Sequence, residues 1–322
     1  MTQFDVTALG ELLIDFTENG LSEQGNTLFE ANPGGAPCNV LAMLGKLGHS
    51  CAFVGKVGED MFGRHLKAVA EGVGINMESL AVGPDCRTTL AFVKTAENGD
   101  RDFSFFRSPG ADMLLTEAEV PEAPVAGCRI FHFGSLSMTH EGVRRATRKA
   151  LDIAQSGGAL LSFDPNLREP LWGNLEEARE QIAYGLSRCD ILKIADNELL
   201  FMTGEKDFDK GAAILQKEFP NIRLLNVTAG PDGSYSYYGG ERVYQPSFLL
   251  GGTIETTGAG DTFCACVLHF VLEHGLENLS AGDLTGMLRF ANAAAYLVTT
   301  RRGAIRSMPE RAEVEALLAG AK

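Results

Sequence analysis

The chain has 322 residues, with 28 Lys and Arg against 42 Asp and Glu, a formal net charge of −14 and 45% hydrophobic residues. That balance is globular rather than disordered, and at roughly 100–200 residues per domain the length suits one large α/β domain. The acidity argues against nucleic acid or an anionic membrane surface as a partner, since both are held by Lys and Arg. An anionic substrate would need local cations and backbone N–H groups.

The N-terminus, Met1-Thr-Gln-Phe-Asp5, has neither a basic start nor an apolar core and so does not resemble a signal peptide. No apolar run approaches the roughly 18–20 residues of a membrane span. Seven cysteines (38, 51, 86, 128, 189, 264, 266) are scattered without a C-x-x-C pair, as expected of packed thiols in a reducing compartment. Together these features predict a cytoplasmic protein.

Along the chain, short apolar runs alternate with helical periods. Strands are predicted at 4–9, 51–57, 130–133, 159–164, 191–194 and 224–228, and amphipathic helices around Val40–Leu47, 62–73 and 143–154. The alternation predicts a mainly parallel sheet with helices on both faces. Pro37 stands just inside a helix start, and Gly48 and Gly74 follow helix ends. Segment 19–33 is polar and then extended. Segment 87–107 splits into strands 88–95 and 102–107 around Glu97-Asn98-Gly99-Asp100, and Asn-Gly between alternating runs is a strong hairpin signal. From residue 261 to 319 the pattern is helical, with a break around 302–308.

The most informative run is Glu255-Thr-Thr-Gly-Ala-Gly-Asp-Thr-Phe263, which opens a helix. Gly258-Ala259-Gly260 allows close backbone approach, and free N–H groups with the positive end of the helix dipole make an anion site. Asp261, in the first turn, is either an ordinary cap or a carboxylate that orients an attacking hydroxyl and accepts its proton beside that anion. A dinucleotide fingerprint fails, because Phe263 occupies the sixth position, and there is no G-x-x-x-x-G-K-[ST] loop. A second glycine turn, Asn32-Pro-Gly-Gly-Ala-Pro-Cys-Asn39, precedes another helix. Its glycines would let a polyol lie against the backbone, while Asn39 both donates and accepts. Asp15 could accept from sugar hydroxyls. The competing readings are a helix cap for Asn39 and a strand-end turn for Asp15.

In this order, Gly34-Gly-Ala-Pro-Cys-Asn39, Gly55-Lys-Val-Gly-Glu-Asp-Met-Phe-Gly63, Phe163-Asp-Pro-Asn-Leu-Arg168, Thr228-Ala-Gly-Pro-Asp-Gly233 and Thr257-Gly-Ala-Gly-Asp261 resemble the ribokinase-like (PfkB) carbohydrate kinases. The resemblance runs from about residue 4 to about 310. Within the family it is most similar to fructokinases, through Phe105-Phe-Arg-Ser-Pro-Gly-Ala-Asp112, Asp164-Pro-Asn-Leu-Arg-Glu-Pro-Leu-Trp172 and Arg302-Gly-Ala-Ile305.

The resemblance implies a Rossmann-like ribokinase fold over residues 1–322, with a small β-sheet lid from segments of about 16–33 and 87–107. It implies ATP-dependent transfer to a sugar hydroxyl, most simply fructose to fructose 6-phosphate, with Mg²⁺ and with K⁺ as a candidate. Asp261 would be the base and Gly258, Ala259 and Gly260 the anion hole. Asp15, Gly34, Gly35, Asn39, Phe105, Arg107 and Arg168 would hold the sugar, although Arg168 also admits a purely structural ion pair. Lys193, Glu198, Thr228, Gly230, Gly233 and Asn292 would serve the nucleotide, and Glu255, Thr257 and Ser307 a monovalent cation. Lid-to-lid contact through Leu90, Phe92, Phe103 and Phe105 would give a homodimer.

Three positions depart from the family's pattern. Glu255 stands where Asp is common, Ala195 replaces the first residue of Asn-x-x-Glu, and Phe105 replaces the Tyr usual in 2-keto-3-deoxygluconate kinases. Such an acid sugar, or a riboside, is the alternative substrate, with Arg107 and Arg168 available for a carboxylate. A non-catalytic sugar or nucleotide sensor is disfavoured by the complete Gly258–Asp261 run. An NAD enzyme is disfavoured by the missing fingerprint.

Overall fold

The computed structural model describes residues 3–95 and 101–320, and for residues 94–95 and 101–103 their backbone only. The strands are β1 (Phe4–Leu9), β2 (Leu13–Leu21), β3 (Thr27–Gly34), β4 (Cys51–Gly58), β5 (Ile75–Asn76), β6 (Leu80–Gly83), β7 (Leu90–Thr95) and β8 (Arg101–Phe106). They continue as β9 (Cys128–Gly134), β10 (Leu160–Asp164), β11 (Ile191–Ala195), β12 (Leu224–Thr228), β13 (Ser234–Tyr238) and β14 (Glu241–Gln245). The helices are α1 (Ala36–Lys46), α2 (Met61–Gly72), α3 (Glu122–Ala126), α4 (Glu141–Ser156) and α5 (Leu175–Leu186). After them come α6 (Asp196–Thr203), α7 (Phe208–Glu218), α8 (Ala259–His274), α9 (Ala281–Thr299) and α10 (Arg311–Gly320).

The large sheet runs β14-β13-β12-β11-β10-β9-β1-β4-β5, with β6 also on β4. It is parallel from β12 to β5, and its parallel strands are near-continuous apolar runs because both faces are covered. On one face Leu41, Leu44, Phe263, Val267, Leu288 and Val314, from α1, α8, α9 and α10, pack over Val6 and Phe53. On the other, Val143, Ala150, Ile182, Leu199 and Leu215, from α4 to α7, pack over Phe131, Phe133 and Phe163.

The order reverses at β1, which pairs with β4 on one side and β9 on the other. In open α/β sheets the crevice beyond the carboxyl ends at such a reversal is where ligands bind. Here it is roofed by a second sheet, β3-β2-β7-β8. Segment 19–33, expected to be polar and then extended, supplies the end of β2 and nearly all of β3, and β7 and β8 are the hairpin strands expected to flank Asn98-Gly99. That turn itself lies outside the described residues, as does the side chain of Phe103. The expected helical tail is three helices, with a break at 275–280 as well as the one near 302–308.

The antiparallel pair β13 and β14 was not foreseen. Its signal is present: Gly239 and Gly240, both at positive φ, sit between two short alternating runs, which is hairpin chemistry.

Candidate active site

Four strand ends converge on a polar cavity of about 360 Å³. Glu11 follows β1, Asn166 and Arg168 follow β10, Lys193 and Ala195 end β11, and Thr228 ends β12. The small sheet contributes Asp15, Thr17, Asn32, Val93 and Phe105. The floor is the N-terminus of α8, with Gly258, Gly260 and Asp261.

Gly258 is in the left-handed region at φ 78° and caps α8, so the first N–H groups of a 16-residue helix point outward. A Cβ there would also meet that of Ala304 at 3.1 Å. Asn39, on the first turn of α1, donates from Nδ2 to Asp261 Oδ2 at 2.7 Å. Its buried Oδ1 has no hydrogen-bond partner among the described residues, so one acceptor of this cavity-lining side chain remains unused. Burial, reinforced by the nearby Asp164 charge, pushes Asp261 up to about 6, against the opposing Asn39 hydrogen bond and Lys193 charge. Lys193 Nζ lies 3.0 and 3.1 Å from the two Asp164 carboxylate oxygens. Burial works against its charge, but Asp164, Glu198 and Asp261 outweigh that and hold its pKa above the usual lysine value.

A second, more apolar cavity of about 310 Å³ lies across α8 and shares Thr228, Thr256 and Gly260 with the first. It collects Gly230, Gly233, Ala259 and Asn292, together with Phe248, Leu249 and Tyr296, which were not anticipated. The Asn292 amide is committed to Ser234 Oγ at 2.9 Å and to the Gln245 and Pro246 carbonyls at 3.2 and 3.1 Å, so it holds the cavity wall in place.

Gly34 does not line the polar cavity; a Cβ there would come within 2.7 Å of Asp15 Oδ2, so it makes room for that carboxylate. Gly35 does line it, at φ 125°. Arg107, expected to reach the sugar, is instead buried among protein groups. Its guanidinium pairs with Asp112 at 2.7 Å and donates to Thr139 Oγ1 and the Leu136 carbonyl, which anchors the end of β8 to the main body. A guanidinium that is almost fully buried must satisfy its donors locally, and the sequence did not show that Asp112 would fold back onto it.

Glu198 lines the cavity, but its two oxygens accept from the Leu167 and Ala195 N–H groups at 2.7 and 2.8 Å. Glu255 and Thr257 line it too, and Glu255 accepts from Gly303 N–H at 2.9 Å. Ser307 lies behind them, donating to the Arg302 carbonyl.

Sequence reasoning missed Glu11. It is buried, accepts from Ala36 N–H at 2.8 Å, and burial raises its carboxyl to about 7. A charged residue immediately after an apolar strand of a parallel sheet was the available signal, since such positions face the crevice.

The two cavities meet at the N-terminus of α8, where they share Thr228, Thr256 and Gly260, and free N–H groups beside a carboxylate suit an enzyme that moves a phosphoryl group onto a hydroxyl. Known proteins agree with that class. The pfkB family carbohydrate kinase pattern matches residues 3–311. Fructokinase-1 of Zea mays is 40% identical over 315 residues, covering 97% of each chain. Fructokinase-2 of Solanum lycopersicum is 39% identical over 323 residues, covering 98% of this chain and 96% of that one. Among solved structures, a fructokinase with bound ATP from Xylella fastidiosa superposes with TM-score 0.88 at 30% identity over 98% of both chains. A fructokinase double mutant from Vibrio cholerae, in a form with fructose, ADP and potassium ion bound, superposes with TM-score 0.86 at 27% identity over 97% of both. The chain belongs to the pfkB family of carbohydrate kinases, and its fold is the ribokinase-like α/β fold.

Proposed function

We propose that the protein transfers the γ-phosphoryl group of ATP to fructose, giving fructose 6-phosphate. The observation that carries this reading is the Asn39–Asp261 contact at the N-terminus of α8, where the polar and apolar cavities meet. The sugar occupies the polar cavity, with Asp15 and the free acceptor of Asn39 on its hydroxyls. The nucleotide occupies the apolar one, with its base against Phe248, Leu249 and Tyr296. Asp261 orients the attacking hydroxyl and takes its proton late, while the N–H groups after Gly258 and the Lys193 ammonium stabilise charge on the transferred group. The small sheet acts as a lid that excludes water, with Phe105 over the sugar.

Magnesium supplied with the nucleotide would neutralise phosphate charge. Glu198 would hold it through water, because its oxygens already serve two backbone N–H groups. Glu255 and Thr257 offer hard oxygen donors of the kind a K⁺ ion takes. The buried Arg107 favours a neutral sugar over 2-keto-3-deoxygluconate, since of the two guanidiniums expected to meet a carboxylate only Arg168 lines the cavity. We also propose that two copies pair through their lids, where Leu21, Leu28, Phe29 and Phe106 are exposed, and that the protein works in the cytoplasm, a reading supported by seven buried cysteines without disulfides. No helix among the described residues is long and apolar enough to cross a membrane.

The test is ATP consumption with Mg²⁺, with and without K⁺, across fructose, ribose, glucose, 2-keto-3-deoxygluconate and an aminoimidazole riboside. Fructose is expected to lead in kcat/KM by at least about tenfold, a gap of about 1.4 kcal/mol. A lead by the acid sugar or the riboside would overturn the assignment while keeping the chemistry.

A further inference from the structure

Helices α1 and α8 run side by side in parallel and are joined at both ends. Asn39 meets Asp261 at their N-terminal ends. Just beyond the C-terminus of α1, His49 Nε2 lies 2.7 Å from Nδ1 of His269 on α8. One turn on from His269, on the same helical face, is Glu273. One ligand atom from each of these three residues falls within 4.8 Å of the others.

We propose that His49, His269 and Glu273 form a divalent transition-metal site, with Zn²⁺ the best match to two imidazoles and a carboxylate. The donor set leaves a fourth position for water, as in three-ligand zinc sites. Two imidazole nitrogens on one tetrahedral zinc lie about 3.3 Å apart, so the present spacing needs only a small widening. His49 also has a carboxylate near its other ring nitrogen, beyond hydrogen-bond distance. Its Nδ1 faces Asp5 Oδ2 at 3.8 Å, and Asp5 is fixed by Ser50 N and Oγ at 3.0 and 2.9 Å and by Arg129 at 3.1 Å. The surrounding charges are mixed: Asp5 and Glu273 are balanced by Arg129 and Arg311, with His274 nearby. Arg129 is committed to Asp5 and the Leu272 carbonyl, and Arg311 to Glu315. An ion here would brace the two helices that carry Asn39 and Asp261 at the end opposite the chemistry.

The test uses the full chain stripped with a chelator and titrated with Zn²⁺ and then Co²⁺. The expected result is one saturable equivalent, a rise in the unfolding midpoint of about 5 °C at a hundredfold excess over Kd, and visible Co²⁺ ligand-field bands. Glu273 is exposed, so Glu273→Gln folds normally; it should weaken binding about tenfold or more and alter the Co²⁺ bands. His49→Gln and His269→Gln should abolish the equivalent, with circular dichroism confirming their fold. Absence of a saturable equivalent in the wild type would mean the two imidazoles only hydrogen-bond each other, and the proposal fails. Equal binding by the wild type and Glu273→Gln would place the ion elsewhere and also overturn it.

Discussion

The side-chain amide of Asn39 and the carboxylate of Asp261 are 222 positions apart in the chain and 2.7 Å apart in space. Each sits on the first turn of its own helix behind a glycine turn, so two helix N-termini face one small volume. Asn39 thereby has one end on Asp261 and one acceptor unused, and on the proposed function a change at either residue should be felt in both binding and proton transfer.

Asp261→Ala should lower kcat by about a thousandfold or more while leaving the Kd for ATP within about twofold, since the apolar cavity is untouched. Steady-state kinetics and nucleotide titration measure the two separately. Turnover near wild type would remove Asp261 from the reaction.

The acid limb of the wild-type pH profile should report Asp261. Its ionised form is the working one, and burial with the Asp164 charge sets its pKa at about 6. Activity should therefore hold above that value and fall about tenfold per pH unit below it. A profile flat down to pH 4.5 would contradict this.

Asn39→Ala removes a hydrogen bond that favours ionised Asp261, so the acid limb should move to higher pH, by on the order of half to one unit. The KM for the sugar should rise as well. A raised KM with an unmoved limb would limit Asn39 to sugar binding.

Arg107 and Arg168, alike in the sequence, should part company on mutation. Arg107→Ala strands the buried Asp112 carboxylate and should destabilise the fold by about 3–5 kcal/mol in denaturant titration. Arg168 is exposed at the cavity rim, so Arg168→Ala should leave stability nearly unchanged and lower kcat/KM. The reverse pattern would exchange their roles.

Gly35→Ala should destabilise by at least about 2 kcal/mol. Its φ of 125° suits glycine, and an added Cβ would stand 2.3 Å from the Glu11 carbonyl oxygen. The denaturation midpoint measures this; an unchanged midpoint would show that the turn relaxes freely.

Much of the architecture was legible because it rests on local rules. Strand β1 at Phe4–Leu9 and β12 at Leu224–Thr228 fall where their apolar runs predict, and Pro37 and Gly48 punctuate α1 as their backbone preferences require. The glycine turn that opens α8 was legible for the same reason, since Gly258 at positive φ, followed by Ala259 and Gly260, carries its geometry in its own residues. Pairing was another matter. Segment 19–33 is strand over Thr27–Pro33 because β3 pairs with β2, and its polar composition carries no sign of that partner.

The sequence by itself determined the alternation of strand and helix, the glycine turns and the place of Asp261 in the first turn of α8, each a property of a few neighbouring residues. Only the tertiary structure decided that Arg107 turns inward to Asp112, that Glu11 enters the cavity, and that His49 meets His269. The physical reason is that a charged side chain's partner is chosen by desolvation and distance, and both exist only once segments far apart in the chain have packed together.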